Sequence, residues 1–436
     1  MWEALIVEVS NWGDIWALQI DKRHASDWLL FFAPVLLLEI PQYYFPIVAI
    51  MLARAFGFPR TDERRTRGLM ARKPLVSVVV AGRNESAAIG DCIRSLVDQD
   101  YPNLEIIIVD DASTDETYAI ARKFARKGLI RVIRNRESVG RTGRPTASNL
   151  GTRVSNGEFI ISLDADTTFD RGLIENMLAP FADPSVGAVA GNVLVRNISH
   201  NIVTRFQALE YFVSIDLRKR WSDLIGNTLQ ASGAIGAFRR SAIMPIFGWD
   251  PELAEDGDIS LRIIKSGWKI GFAPRAVAMT DAPDTWRVLM KQRYRWDRGA
   301  LRTYLSKHGR LLRPSISGPG YAYAMWGEIL FSNVLPLFYP IYLVWLAMQG
   351  MGMLTLVLAL SYALYSILAV LSLGAIRYLS DRSPRFSALL LPAILCPLYR
   401  ELMRWVRFRA LVAELLRRNY KDSYLPDSAW MHTPRY

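Results

Sequence analysis

Two apolar runs in this chain end abruptly in paired carboxylates. Ile106-Ile107-Ile108-Val109 leads into Asp110-Asp111, and Phe159-Ile160-Ile161-Ser162-Leu163 leads into Asp164-Ala165-Asp166. Asp164 and Asp166 have the spacing to hold a hard cation such as Mg2+ or Mn2+, with water and phosphate oxygens completing its shell. A third acidic pair, Glu255-Asp256, precedes an apolar helical pattern that begins near Ile259. A carboxylate there can remove a proton from a nucleophile, or it can simply complement a helix dipole. Together these groups would serve a divalent cation and a phosphate-bearing substrate. Asp-rich turns also follow strands for reasons of turn chemistry, so either run alone decides nothing.

The elements that must position these groups are legible from the same runs. A continuous β-branched strand is usually covered on both faces, as in a parallel sheet between helices, and such sheets bind ligands at the carboxyl ends of their strands. The pattern predicts strands over Leu75–Val80, Leu104–Val109 and Ile130–Arg134, and helices over Glu85–Gln99, Thr114–Lys127 and Ala147–Val154. That alternation makes a layered α/β domain. It carries no Gly-rich phosphate loop of the dinucleotide or P-loop kind, so phosphates must be neutralised by metal and basic side chains.

Composition places this domain beside a membrane. Of 436 residues, 51% are hydrophobic, and the mean hydropathy is +0.12, above that of an ordinary soluble enzyme. Residues 1–27, with Trp2, Trp12 and Trp16, read as an interfacial helix rather than a cleavable signal. Residues 28–53 are apolar and long enough to cross a hydrocarbon core of roughly 30 Å; Glu39 within them would line a channel or contact another helix. Arg54, Arg60, Arg64, Arg65, Arg67, Arg72 and Lys73 follow at once and put residues 74–281 on the cytoplasmic side. Residues 282–312 read as basic amphipathic surface helices, and 321–376 as a transmembrane hairpin. Residues 386–418 read as a re-entrant segment or a third span with a basic surface helix, and 419–436 as a cytoplasmic tail. The net charge of +12 sits beside apolar segments, which favours anionic lipid or an anionic substrate over nucleic acid. Cys92 and Cys396 have neither disulfide nor metal-ligand spacing and read as packing residues.

The order Asp110-Asp111, Asp164-Ala165-Asp166, Glu255-Asp256 and Gln292-Arg293-Tyr294-Arg295-Trp296 resembles the processive family 2 glycosyltransferases. These membrane enzymes include the cellulose, hyaluronan, chitin-oligosaccharide and poly-N-acetylglucosamine synthases. The likeness covers roughly residues 74 to 312 by motif, and the flanking apolar segments by arrangement. It implies a GT-A-like nucleotide-sugar-binding domain with α-helical transmembrane and interfacial segments.

The resemblance also implies roles. Asp166 would be the more direct metal ligand, with Asp164 contacting the nucleotide or orienting the metal shell. Asp110, Asp111 and the turn bearing Asn84 and Glu85 would meet the uridine, although Gly82 stands where the family often has proline. Arg144, in a run that resembles a Gly-Lys turn, would clamp phosphate or remain a surface arginine. Asp256, beside Glu255, would be the base, and Ala254 replaces the usual threonine before the pair. Trp296 would stack under the acceptor sugar, with Arg295 and Gln292 toward the departing diphosphate. Gly233 and Phe238 belong to a small-residue turn that resembles the one shaping the acceptor site, and Thr433 and Arg435 to a loop that closes over the nucleotide.

The chain therefore reads as an inverting β-glycosyltransferase of the plasma (bacterial inner) membrane, with its catalytic domain cytoplasmic. The expected donor is UDP-N-acetylglucosamine or UDP-glucose, the cofactor Mg2+ or Mn2+, and the acceptor a growing polysaccharide passed outward. Membrane lipid is an expected partner, accessory export subunits are compatible ones, and nucleic acid is not expected. Two alternatives stay open: a non-processive enzyme that glycosylates a lipid such as diacylglycerol, and an inactive channel or scaffold subunit.

Overall fold

The computed structural model describes residues 12–417 except 18, 21–22, 34–39, 41–42, 59–62, 136–142, 252, 381 and 383. Glu39, Thr433 and Arg435 lie outside the described residues.

An eight-stranded mixed sheet runs in the order β3-β2-β1-β4-β7-β6-β8-β5. Its parallel half is β1 (Val76–Gly82), β2 (Leu104–Asp111), β3 (Arg131–Asn135) and β4 (Phe159–Asp164). The rest is β5 (Thr168–Phe169), β6 (Val186–Val195), β7 (Ile235–Arg239) and β8 (Lys269–Thr280). Strand β7 runs antiparallel to both neighbours, so the parallel sheet that the apolar runs predict extends only from β3 to β4. Register brings the acidic strand ends level: Gly82 pairs with Asp110, Ala81 with Asp164, and Asn135 with Asp111.

The continuous apolar character of these strands has the cause expected, since both faces are covered. Val78, Val80, Ile106, Ile108, Ile161 and Leu163 pack on one face with Ile89, Ile93 and Leu96. Val79, Ile107, Val109 and Ile160 pack on the other with Ala147, Ile259 and Ile263. Alternate residues thus feed two cores, as the two-residue period of a strand requires.

One predicted helix starts later than its sequence pattern. The helix after β1 begins at Ile89 rather than Glu85. Asn84 takes a left-handed φ of 59°, and the turn is tied to the loop after β2. The Asn84 N–H donates to Ser113 Oγ at 3.0 Å, the Glu85 N–H to Thr117 Oγ1 at 2.7 Å, and the Ser86 N–H to Asp115 at 3.0 Å. These cross-loop bonds occupy donors that a helical turn would otherwise orient along its own axis.

Beyond the sheet the chain is helical. Among the described residues, one helix, Met351–Leu379, is long and apolar enough to cross a membrane. Phe45–Ala55 and Leu335–Met348 are shorter apolar helices, and the pair Phe386–Ile394 and Cys396–Leu416 meets at a 62° bend. Pro397 sits just past that break, where its ring and missing N–H interrupt the helical ladder.

Helix Arg144–Val154 lies against the sheet through Gly151, where an added Cβ would come within 2.3 Å of Val79 Cγ1 and 3.1 Å of Val109 Cγ2. Gly151→Val is therefore expected to lift this helix from β1 and β2 and cost about 1–3 kcal/mol. A thermal melt of the purified chain should show a fall of several degrees; an unchanged midpoint would refute this packing.

Candidate active site

The level carboxyl ends of β1, β2 and β4 create the site, and the loops that leave them supply its groups. Asp111 has both oxygens engaged: Oδ1 accepts from Asn135 Nδ2 at 2.7 Å, and Oδ2 from the Gly143 N–H at 2.6 Å. Gly143 has a φ of 127°, a conformation that side chains resist, and it opens the helix whose first residue is Arg144. Each carboxylate oxygen keeps further acceptor capacity for a ligand. Asp110 points the other way, buried, with Arg134 Nε 3.3 Å from Oδ2. Neither of its oxygens accepts a hydrogen bond among the described residues.

Arg144 stands at the centre of the site and is no surface arginine. Its Nε donates to Asp164 Oδ1 at 2.7 Å, one Nη to Glu255 Oε1 at 2.9 Å, and the other to the Gly233 carbonyl. Burial works against its charge, but Asp164 and Glu255 outweigh that and push its pKa up. Glu255 itself is pushed up, first by burial, with Arg144 opposing and Asp256 adding to the rise. Asp256 Oδ2 accepts from the Gly233 N–H at 3.0 Å, and Oδ1 from the Gly257 N–H at 2.8 Å. The sequence therefore brings Asp111, Arg144, Asp164, Gly233, Glu255 and Asp256 into one connected network.

A second acidic group lies beside it. Burial first, then Asp164, raises the pKa of Asp166, while the Thr167 hydroxyl 3.0 Å away opposes the shift. Glu85 is pushed up to about 7 by burial and by the charges of Asp166, Asp164 and Asp115. Gly82 is what lets these groups approach, since a Cβ there would lie 2.5 Å from Ala165 Cβ and 3.3 Å from Glu85 Cγ. A proline at this position would meet the same obstruction. Carboxylates that raise one another fit a divalent cation, whose charge would reverse the sign of the local field. Among the described residues no three His, Cys, Asp or Glu side chains form a ready-made cage. A cation that keeps waters and takes substrate phosphates needs only one or two carboxylates, and Asp166 with Asp164 meets that requirement.

The residues expected to meet the acceptor lie on or beside helices Glu255–Lys265 and Trp286–Leu301. Gly299 of the second lies against Ala254, just before the first, where an added Cβ would lie 3.0 Å from Ala254 Cβ and 3.2 Å from its nitrogen. The residue before the acidic pair thus touches the helix that carries Trp296. Asp258, fully buried, anchors the same helix: His308 Nε2 and Lys307 Nζ each lie 2.8 Å from Oδ1, and Arg262 Nε donates to Oδ2 at 2.9 Å.

Trp296 is 41% exposed, with the Arg293 guanidinium 4.3 Å from its ring centroid. Arg293 also binds Glu210 at 2.7 Å and Gln292 at 2.6 Å, and Tyr399 donates to Glu210 at 2.6 Å. Arg295 is half-buried on the same helix. Phe238 is only 2% exposed and sits edge-on to Trp249, so its ring belongs to the core beneath the sheet rather than to a ligand surface. Sequence spacing singled out Gln292, Arg295 and Trp296 and passed over Arg293. Its partner Glu210 lies 83 residues away, a separation that leaves no local signal.

Residues 73–299 match the family described as glycosyltransferase like family 2. A probable glycosyltransferase of Bacillus subtilis, YdaM, is 32% identical over 280 residues, 62% of this chain and 66% of that protein. A poly-β-1,6-N-acetyl-D-glucosamine synthase of Staphylococcus epidermidis is 32% identical over 226 residues, 51% of this chain and 54% of that protein. The chain spans about half to two thirds of the length of these curated relatives. Among solved structures, a mannosyltransferase from Pyrobaculum calidifontis in complex with GDP-Man and Mn2+ has a TM-score of 0.56 at 22% identity. The match covers 86% of this chain and 99% of that one, and it establishes a common GT-A-like fold.

The raised carboxylates make cation binding proton-linked, because a ligand must lose its proton to bind. Calorimetric titration of Mn2+ at pH 6, in two buffers of different ionisation enthalpy, is expected to show net proton release. Glu85→Gln should diminish that release. Heats independent of the buffer would refute a shared acidic site.

Proposed function

The chain belongs to the glycosyltransferase-like family 2, and from that membership we propose that it is a membrane-embedded inverting β-glycosyltransferase. It transfers a sugar from a UDP-sugar to a growing polysaccharide and passes the product outward between its own helices. The observation that carries this reading is the bridge made by Arg144: one guanidinium joins Asp164, at the end of β4, to Glu255 in the pair that holds the base. The names of the relatives favour N-acetylglucosamine as the sugar, with glucose the alternative.

In this reading Asp111, Asn84 and Glu85 hold the nucleotide, while Asp110, turned away and buried beside Arg134, is not placed to touch it. Asp166, with Asp164, would hold the cation, which supplies neutralisation of the diphosphate charge when bound. The acceptor hydroxyl attacks the anomeric carbon from the face opposite the diphosphate. As the new C–O bond forms, the bond to the diphosphate breaks and UDP departs with that electron pair. Asp256 takes the hydroxyl proton, and the anomeric configuration inverts. The Gly233 and Gly257 N–H groups hold the Asp256 carboxylate in place before the acceptor arrives. Trp296 offers a flat indole surface for the acceptor ring, and Gln292 and Arg295 serve the departing diphosphate.

The cluster from Arg54 to Lys73, directly before the sheet domain, supports a cytoplasmic active site. The 62° bend at Leu395 supports a re-entrant entry of residues 386–418 over a third straight span.

The test is to incubate the full-length protein separately with radiolabelled UDP-N-acetylglucosamine and UDP-glucose and to size the product. Polymer from one donor is expected; a single added sugar on lipid would replace polymer synthesis with glycolipid synthesis. Asp256→Asn should lower kcat by about 10²–10⁴ while leaving UDP binding intact, and Asp166→Asn should abolish metal-dependent transfer. Unaltered function in both variants would leave only a scaffold role.

A further inference from the structure

One cation near the base has no part in the mechanism above. Lys219 lies on a helix that runs through Ile202–Tyr211, a π-helical segment Phe212–Leu217, and Arg218–Leu224. Such wide turns change the angle at which the following side chains leave the helix, and they recur at functional sites.

The charged neighbours of Lys219 on this helix are committed to holding the fold. Arg218 pairs with Glu328, Arg220 Nε donates to Asp216 at 2.7 Å, and Asp223 accepts from the Phe272 N–H at 2.9 Å. Lys219 instead points at the acceptor side. Among the described residues its hydrogen-bond partner is the hydroxyl of Ser232. The next residue, Gly233, donates its N–H to Asp256 and accepts from Arg144.

An ammonium has three donors and no acceptor. Here one donor is used on a neutral hydroxyl, in surroundings where burial pushes the amine down to about 8 and Asp256 pulls the other way. A partly enclosed cation held by a single hydroxyl is poorly compensated unless another oxygen completes its shell. The groups around it are Asp256 on the neighbouring helix, Arg144 and Glu255 across Gly233, and Arg218 and Arg220 on its own helix.

We propose that Lys219 is an acceptor-binding residue, whose ammonium donates to a hydroxyl or carbonyl oxygen of the glycan end that presents its nucleophile to Asp256. This rests on the glycosyltransferase reading and adds a contact to it. Lys219 steers the acceptor and takes no part in binding the nucleotide, and Ser232 fixes the direction of the ammonium. Recognition is of neutral carbohydrate oxygens, which a single point charge can meet in several orientations.

The test uses the full-length protein with a β-linked N-acetylglucosamine oligosaccharide as acceptor and, separately, with no acceptor, following UDP release to water. Lys219→Met and Lys219→Gln are expected to raise the acceptor KM at least tenfold. Donor KM and acceptor-free UDP release should stay within twofold of the parent. In the parent the acceptor KM should climb above pH 8, as the ammonium loses its proton. Lys219→Arg should bind acceptor and remove that climb. An acceptor KM unchanged in Lys219→Met and Lys219→Gln overturns the assignment. So does an equal loss of donor and acceptor function, which marks a structural role, or an alkaline limb that survives in Lys219→Arg. A parent protein that releases UDP from neither UDP-N-acetylglucosamine nor UDP-glucose overturns the functional reading itself and the assignment with it.

Discussion

The site depends on one half-buried guanidinium. Arg144 gathers Asp164 from a strand end, Glu255 from a helix start and the Gly233 carbonyl from a loop, the farthest of them 111 residues from it in sequence. Without it these carboxylates would face one another, and like charges at short range in a partly dry site repel by several kcal/mol at an effective dielectric of about 20. The pairing is charge-assisted and forked, which fixes direction as well as distance. Asp111 then fixes the arginine by capturing the Gly143 N–H at the mouth of its helix. The order of dependence runs from Asp111 to Arg144 to the acidic pair.

A similar logic joins the sheet domain to the apolar helices. Arg298 and Arg302 both bind Glu414 on helix Cys396–Arg417, and Arg407 of that helix binds Asp297. The side chains of Arg298, Arg302 and Glu414 are each no more than 12% exposed, so the loss of one partner would strand a charge away from water. Glu210, Arg293 and Tyr399 form another such knot beneath Trp296, and Phe206 stacks on Tyr399 at 5.0 Å. The helix bearing Trp296 is therefore held by charge against helix Cys396–Arg417 and by close contact with Ala254 elsewhere along its length.

What the sequence disclosed, and what it withheld, follows from the range of each interaction. Strand ends were legible because Ile106–Val109 and Phe159–Leu163 are uniformly apolar and the carboxylates stop them sharply. Periodicity is a local property and was read locally. The antiparallel insertion of β7 was hidden, because the direction of a strand is decided by its partners rather than by its own residues. Residues 85–88 read as helix because the bonds that hold them out of one go from Glu85 and Ser86 to Thr117 and Asp115, about thirty residues on. Arg144 looked optional for the same reason, since none of its three acceptors lies within nineteen residues of it in sequence. Phe238 resembled a binding residue by its motif, but alternation along β7 turns it inward onto Trp249.

The contact of Gly299 with Ala254 has a mechanical meaning. Where a helix glycine rests directly on an alanine at the mouth of another helix, no flexible side chain lies at the contact to absorb a shift. In the proposed transferase, a rocking of the indole-bearing helix would be handed on directly to the start of the helix that carries the acidic pair. The indole and the acidic pair would then move as a single part.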